Sequence, residues 1–172
     1  MFRNPALEMG VAKNHAYETR LRWTGNTGTG TETYAGYGRE FVVSIDGKPD
    51  ITGSADKMFR GTSSLPNPED LFLTSISSCH MLSYVALCAR QGVNVLSYED
   101  HATGILALDD KWDGKFSQVT LNPVVTVASE SMKELAMSLH DEAHRGCFVA
   151  SSCSVPIHHS ATVLVAEHGT EN

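Results

Sequence analysis

A thiol and an imidazole stand side by side in the middle of an otherwise apolar segment, NPEDLFLTSISSCHML, residues 67–82. Only a thiolate attacks electrophiles, so Cys79 can act as a nucleophile if a cationic or hydrogen-bond-donating neighbour ionises it. Adjacent helical residues point about 100° apart, which makes His80 a poor direct base for Cys79. We expect His80 to cap a buried polar pocket or to face a partner. From position alone, a small, inert core thiol is the alternative for Cys79.

Three further cysteines bear on this chemistry. Nine helical residues place Cys88 on the face opposite Cys79 and roughly 13 Å along the axis, so the two cannot form a disulfide and Cys88 is predicted to be core. Cys147 follows a second helix and its glycine stop, where it can exchange with another thiol or simply pack at the junction. Cys153, near the last strand, is the less favoured partner of Cys79 but stays open.

The histidines offer a competing interpretation. His140 and His144 share a helix face, and four later side chains could complete a set of zinc ligands: Cys147, Cys153, His158 and His159. The sequence contains no CxxC pair, and these spacings match no recognised zinc motif. We therefore predict no metal site and expect the helix histidines to be solvated.

Two predicted helices position the cysteines. The first has Pro68 at its first position and runs to about Gln91, with Gly92 as its stop. Its apolar residues wrap much of the circumference, which predicts burial on several sides. The second helix is predicted over Ser131–Arg145, where apolar residues recur at steps of three and four.

The remaining segments predict strands and turns. Five stretches have strand character: 16–24, 37–50 with a hairpin turn at Asp46–Gly47, 95–108, 116–128 and 154–167. The segment between the second strand and the first helix is expected to be irregular. This order predicts an α+β fold with a mostly antiparallel sheet. We expect one domain over residues 1–172, with residues 1–15 as a flexible segment.

Composition narrows the class of protein. The chain is 41% hydrophobic and carries a formal net charge of −7, which argues against nucleic acid or an anionic membrane as partner. It has no run of about 18 apolar residues, which predicts no membrane span. The start lacks the apolar core of a secretory signal, so a cytoplasmic location is expected. In that compartment, four cysteines do not imply a disulfide framework.

The two cysteine segments together resemble one family. NPEDLFLTSISSCHML, followed about seventy residues later by AHRGCFVASS, is similar to the family of osmotically inducible protein C and organic hydroperoxide resistance protein. There a helix opens with Pro-Glu-x-Leu, a cysteine follows the Glu by ten residues, and a second cysteine lies in an Ala-x-x-x-Cys-Pro-Val-Ser type segment. Glu69 and Cys79 keep that separation. Cys147 stands at the second position, with Phe148 for the usual Pro and Ala150 for the usual Ser.

The resemblance, which covers the chain from about residue 17 to the end, implies both an architecture and an activity. It implies an intertwined homodimer with a long central helix, and a thiol peroxidase that reduces organic hydroperoxides in oxidative-stress defence without a cofactor. Cys79 would be the peroxidatic cysteine and Cys147 the resolving one, and a cellular dithiol such as a lipoylated protein would be the reductant. The alternative is a non-catalytic relative that binds a small hydrophobic ligand or senses thiol redox state.

The family also holds an arginine on the Glu to keep the cysteine ionised. Arg60 is our first choice and Arg39 the fallback, while Arg20 and Arg22 are less favoured. The chemistry needs that cation within about 4–6 Å of the sulfur, where it lowers the thiol pKa.

Helix geometry and side-chain size add two expectations. Ten helical residues span about 15 Å, so Glu69 and its arginine should reach Cys79 from the other subunit. The small residues around Cys79 would let another backbone approach, leaving an apolar pocket suited to an alkyl peroxide. We expect Phe72, Met81 and His80 to contact the substrate, although the family often has an aromatic or apolar residue in place of His80.

Overall fold

The computed structural model describes residues 14–167, which divide after Asn67 into two compact units. Of the flexible segment predicted over residues 1–15, residues 1–13 lie outside the described part. The single-domain organisation expected for the chain stays a prediction.

The first unit is a three-stranded antiparallel sheet in the order β1-β2-β3. Its elements are β1 Arg20–Trp23, β2 Phe41–Ser44, β3 Ile51–Gly53 and a 3-10 helix at Lys57–Phe59. The chain turns between β2 and β3 at Asp46–Gly47, as predicted, and Gly47 has a φ of 71°, which glycine adopts without a steric penalty. β3 lies in a stretch that we expected to be irregular. Its antiparallel pairing with β2 makes it a strand, and β propensity depends strongly on such a neighbour.

The second unit begins with the helix that carries Cys79. α1 spans Pro68–Arg90, with acidic residues in its first turn that complement the positive end of the helix dipole. Gly92 adopts a φ of 74°, and the N–H of Val93 donates to the carbonyl of Cys88 at 2.8 Å. A left-handed glycine with this closing hydrogen bond is a common helix ending. Both predicted ends of the helix are confirmed to within a residue.

Within the chain, α1 buries one stripe rather than several sides. The fully buried residues recur every fourth position: Ile76, His80, Tyr84 and Cys88. Leu82 on another face is 61% exposed, so the expected burial on several sides is wrong for the single chain. The helix is long and apolar enough to cross a membrane, with a mean hydropathy of 1.5 over an 18-residue stretch, but core helices of soluble proteins share these properties. The buried stripe packs into two hydrophobic cores, as such a core helix does.

Six strands form two further sheets. They are β4 Val95–Asp100, β5 Thr103–Leu108, β6 Gly114–Leu121, β7 Pro123–Val127, β8 Ile157–His159 and β9 Thr162–Val165. One sheet has the order β4-β7-β9 and the other β5-β6-β8, and β8 and β9 run parallel to their neighbours. The other strand pairs are antiparallel, which confirms the predicted α+β class. The prediction of one continuous strand over each of the segments 95–108, 116–128 and 154–167 is wrong. Each segment forms two strands, one in each sheet.

Side chains at the bend explain two of these divisions. The carboxylate of Asp100 accepts the backbone N–H of Asn122 at 2.7 Å, and the side-chain amide of Asn122 donates to the carbonyl of His101 at 2.9 Å. Pro123 follows as the first residue of β7, a place where a strand tolerates proline. Because side chains satisfy the backbone at this point, the two neighbouring strands bend together from one sheet into the other.

The second unit contains two more helices. α2 spans Lys133–Gly146 after a 3-10 turn at Glu130–Met132, and a single helical turn, α3, spans Phe148–Ser151. The predicted stripe on α2 is largely confirmed, with Ala136, Leu139 and Ala143 buried, although Leu135 is 41% exposed. Cys88 is 1% exposed and belongs to the core that this stripe contacts, as predicted.

We expect Ile76→Ala to lower the free energy of unfolding by roughly 2–5 kcal/mol, because it empties a fully buried site in the core that Ile76 forms with Val119 and Leu121. Ile105→Ala is the matched control, since the same change removes a side chain that is 54% exposed. Urea unfolding followed by circular dichroism measures both. An equal loss in the two variants would contradict the assigned core.

Candidate active site

The structure brings together two of the predicted site cysteines. Cys79 lies half-buried in the middle of α1, and Cys147 is the first residue after α2. The Cys79 thiol lies near enough to Cys147 to be one of the causes that raise its pKa. All four cysteines are free thiols. Two thiols brought near each other from separate elements can form a disulfide where their Cα atoms approach within about 7 Å.

The two thiols differ in environment. Cys147 is 1% exposed, and its sulfur accepts the N–H of Ala150 at 3.4 Å in the first turn of α3. Burial, followed by the nearby Cys79 thiol, raises the pKa of Cys147 to about 11. Cys147 is therefore a protonated thiol at neutral pH, while Cys79 is the more accessible sulfur. A reagent entering from solvent meets Cys79 first.

Cys153 has other partners. Cys153 lies just after α3, and its thiol donates to the carbonyls of Val149 and Ala150 in that helical turn, each at 3.4 Å. It also lines a cleft of about 690 Å³ together with Phe72. Among the described contacts of Cys153, none is with Cys79.

The residues predicted to contact substrate are spread over three places. Phe72 lies in the cleft with Cys153, its ring 5.0 Å from that of Phe116. Met81 lines a different cleft of about 430 Å³ beside the polar residues Ser77, Ser78, Tyr98 and Asp100. His80 is 1% exposed and packs between helices. Their roles toward substrate stay predictions.

Of the three charged residues predicted to serve the site, Glu69 lies at the far end of α1 from Cys79, and Arg39 and Arg60 belong to the first unit. Glu69 is half-buried in the first turn of α1, and because α1 is continuous it sits about 15 Å along the axis from Cys79. In the first unit, the Arg39 guanidinium lies over the rings of Tyr34 and Tyr37, 4.6 and 4.0 Å from their centroids, and donates to both backbone carbonyls. Arg60 is exposed and ends the 3-10 helix with a φ of 67°. Which arginine serves the thiol stays a prediction.

His80 is buried, in line with one of the two expectations for it, and the feature that the sequence analysis missed is its pairing with a buried His140. Nε2 of His80 lies 3.1 Å from Nδ1 of His140, and both residues are 1% exposed. The His140 ring stacks on that of Tyr84 with 3.9 Å between centroids. The prediction that the helix histidines are solvated is wrong for His140. Its position, between the buried Leu139 and Ala143 on one helix face, was the signal that could have placed it inside.

Two more histidines flank the pair. The His159 ring is 5.8 Å from both His80 and His144, and its Nε2 lies 3.2 Å from a carboxylate oxygen of Asp141. Within residues 14–167, no group of three or more histidine, cysteine or acidic side chains is arranged to hold a metal ion. The alternative zinc set considered from the sequence is therefore not assembled in the described part of the chain.

The buried pair is uncharged at neutral pH. Burial is the largest cause that lowers the pKa of His80 to about 4 and that of His140 to about 3, and the neighbouring histidines add to it. A neutral pair shares one N–H between the two facing nitrogens. If both rings were protonated, two N–H groups would face each other and the bond would be lost.

Comparison with known proteins identifies the family of the chain. Residues 61–160, more than half of the chain, match the family of OsmC-like proteins. The chain belongs to the OsmC-like protein family. None of the curated proteins matches the sequence.

Solved structures share the fold along most of the chain. An OsmC-like protein of unknown function from Vibrio cholerae is 26% identical, with a TM-score of 0.78 over 87% of this chain and 100% of that one. Organic hydroperoxide resistance proteins from Elizabethkingia anophelis and Legionella pneumophila are each 18% identical, with TM-scores of 0.63 and 0.62. Those alignments cover 90% and 88% of this chain and all of the other chains. At 18% identity the likeness establishes the shared fold.

We expect acid to destabilise the protein through the buried histidine pair. Above pH 6.5, the ordinary histidine pKa, both rings are neutral in the folded and unfolded chains. Below it the unfolded chain binds protons that the folded chain excludes. The free energy of unfolding should therefore fall by about 1.4 kcal/mol per pH unit for each histidine as pH drops from 6.5 towards 4.

Urea unfolding at half-unit pH steps from 7.5 to 4.5 measures this slope. His80→Gln, which cannot titrate, should reduce the slope below pH 6.5, whereas the exposed His101→Gln should leave it unchanged. Identical slopes for the wild type and His80→Gln would show that His80 does not contribute to the acid response.

Proposed function

We propose that this protein is a thiol-dependent peroxidase that reduces organic hydroperoxides, with Cys79 as the peroxidatic cysteine and Cys147 as the resolving one. The observation that carries the proposal is the proximity of an accessible cysteine on α1 to a buried, protonated thiol after α2. Family membership and the fold shared with organic hydroperoxide resistance proteins support it.

The chemistry proceeds in two balanced steps. The Cys79 thiolate attacks the distal oxygen of the hydroperoxide, the O–O bond breaks, and the leaving alkoxide takes a proton to become the alcohol. Cys79 is then a sulfenic acid, oxidised by two electrons. The sulfur of Cys147 attacks the Cys79 sulfur, and its thiol proton leaves with the displaced hydroxide as water. A Cys79–Cys147 disulfide results.

A dithiol then restores the enzyme. It attacks the disulfide, is itself oxidised to a cyclic disulfide, and returns two electrons and two protons to the cysteines. A lipoylated protein in the cytoplasm is the reductant we propose, because a dithiol of this kind closes its own ring and drives the exchange to completion.

The ionising residues are proposed to come from a second copy of the chain. Glu69 lies about 15 Å along α1 from Cys79, too far to act within one helix. The exposed apolar residues of α1, such as Leu82, give a second copy a surface to cover. In the resulting homodimer, Glu69 of the partner subunit would hold Arg60, or alternatively Arg39, beside the Cys79 sulfur, where a guanidinium stabilises both the thiolate and the departing alkoxide.

We expect the wild type to consume cumene hydroperoxide catalytically with dihydrolipoamide as reductant. Cys79→Ser should reduce consumption to the rate of the dithiol alone. Cys147→Ser should slow turnover roughly tenfold or more, because an external thiol replaces one already held in place. Cys153→Ser is the control and should match the wild type. Oxidation of Cys79 without turnover would instead indicate a redox sensor.

Mass spectrometry of the protein after one equivalent of cumene hydroperoxide checks the resolving step separately. We expect a disulfide linkage between the peptides that contain Cys79 and Cys147, since these two residues lie near each other. A Cys79–Cys153 linkage, or a stable sulfenic acid alone, would show that Cys147 is not the resolving cysteine.

A further inference from the structure

Three pairs of residues follow one another along the packed helices α1 and α2. The Tyr84 hydroxyl donates to the backbone carbonyl of Ala136 at 3.1 Å, and Nε2 of His80 lies 3.1 Å from Nδ1 of His140. Cys79, next to His80 in α1, lies near Cys147, the residue that follows α2. Residue numbers fall along α1 as they rise along α2, so the helices run in opposite directions. The thiol pair is thus the last of a series whose middle member is the histidine pair.

Apolar packing alone does not fix this alignment. The apolar part of the buried face of α2 consists of Ala136, Leu139 and Ala143. Its two alanines have small side chains, so they interlock only weakly with the grooves of a neighbouring helix. Ridges of side chains spaced three and four residues apart can pack into more than one groove of the partner helix. A slip by one turn would move Cys147 by about 5.4 Å relative to α1. Such a shift is too large for a bond that needs the two Cα atoms within about 7 Å.

The hydrogen bond between the two histidines depends on direction, whereas the apolar contacts do not. Each ring makes one hydrogen bond in the described part of the chain, the bond to the other ring. The outer nitrogens, Nδ1 of His80 and Nε2 of His140, are buried without a protein partner there. A slipped helix would leave both rings buried with no hydrogen bond at all. Buried polar groups in that state carry the full desolvation penalty, so the observed alignment is favoured over its neighbours.

We propose that the hydrogen bond between His80 and His140 sets the register of α2 on α1 and thereby holds Cys147 in position to attack oxidised Cys79. The two histidines are positioning residues, since neither contacts a reacting atom. Buried polar pairs can fix a helix register in this way even where they add little stability. Because it assigns the pair a part in the disulfide-forming step, this role rests on the proposed function.

The test measures thiol coupling without any peroxide. In a Cys153→Ser background, the protein is equilibrated with reduced and oxidised glutathione at pH 7.5, and the fraction of Cys79–Cys147 disulfide gives the effective concentration of one thiol at the other. His80→Leu keeps the bulk and removes the hydrogen bond. His80→Gln keeps an amide nitrogen where Nε2 stood, so it can still donate to His140. Val127→Ala is the matched control, because it changes a fully buried residue of β7 that makes no hydrogen bond to either histidine.

We expect His80→Leu to lower the effective concentration at least tenfold while His80→Gln stays within about threefold of the wild type. This loss should appear even if His80→Leu is as stable as the wild type, which a merely structural role would not produce. An unchanged value in folded His80→Leu, or an equal fall in Val127→Ala, would overturn the proposal. A protein that couples its thiols as expected but does not reduce peroxide would contradict the proposed function. It would leave the positioning role of the histidine pair supported.

A second measurement uses the wild-type protein, so it does not depend on any variant folding. Imidazole ¹⁵N spectra at pH 7.5 should show one protonated and one unprotonated nitrogen for the facing atoms of His80 and His140. Two protonated nitrogens, or two unprotonated ones, would overturn the proposal because no shared hydrogen bond could then exist.

Discussion

The packing of α2 on α1 is the contact on which the candidate site depends. Cys79 lies on α1 and Cys147 follows α2, so the two thiols come near each other only because these two helices are held side by side. The buried stripe of α1 supplies the surface, and within it His80 and Tyr84 provide the polar contacts. The sheets behind the helices hold α1 in place through the two cores. A redox site built this way is a property of the tertiary fold, because residues distant in the sequence supply its two halves.

Under the proposed function, the two thiols would have different requirements. A peroxidatic sulfur must be reachable and ionised, whereas a resolving sulfur should stay unreactive until its partner has been oxidised. The environment of Cys147 fits the second requirement, because burial keeps it protonated and shields it from a diffusing oxidant. In the proposed homodimer, a guanidinium of the partner subunit would favour the thiolate form of the peroxidatic cysteine, and the second copy would cover the exposed apolar side of α1.

Much of the fold was predictable, because the strongest signals are local. Proline at the start of α1 and a left-handed glycine after it set the helix ends, and the apolar period located α2. Two of the divisions of the long strands were not predictable, since they depend on the Asp100 carboxylate accepting the backbone N–H of Asn122, a residue distant in the sequence. The burial of His140 was missed for a related reason. A lone polar residue on a helix is normally solvated. His140 is buried because its hydrogen bond to His80 offsets part of the free energy that burial costs.

The separation of Cys79 and Cys147 in the chain has a consequence for the oxidised protein. The two residues are sixty-eight positions apart, and the segment between them contains four strands and α2. A cross-link over a loop of that length removes conformational freedom from the unfolded chain, an effect of about 4 kcal/mol in the chain-entropy view. A Cys79–Cys147 disulfide, if it forms, would therefore close a covalent ring that makes the oxidised protein harder to unfold than the reduced one.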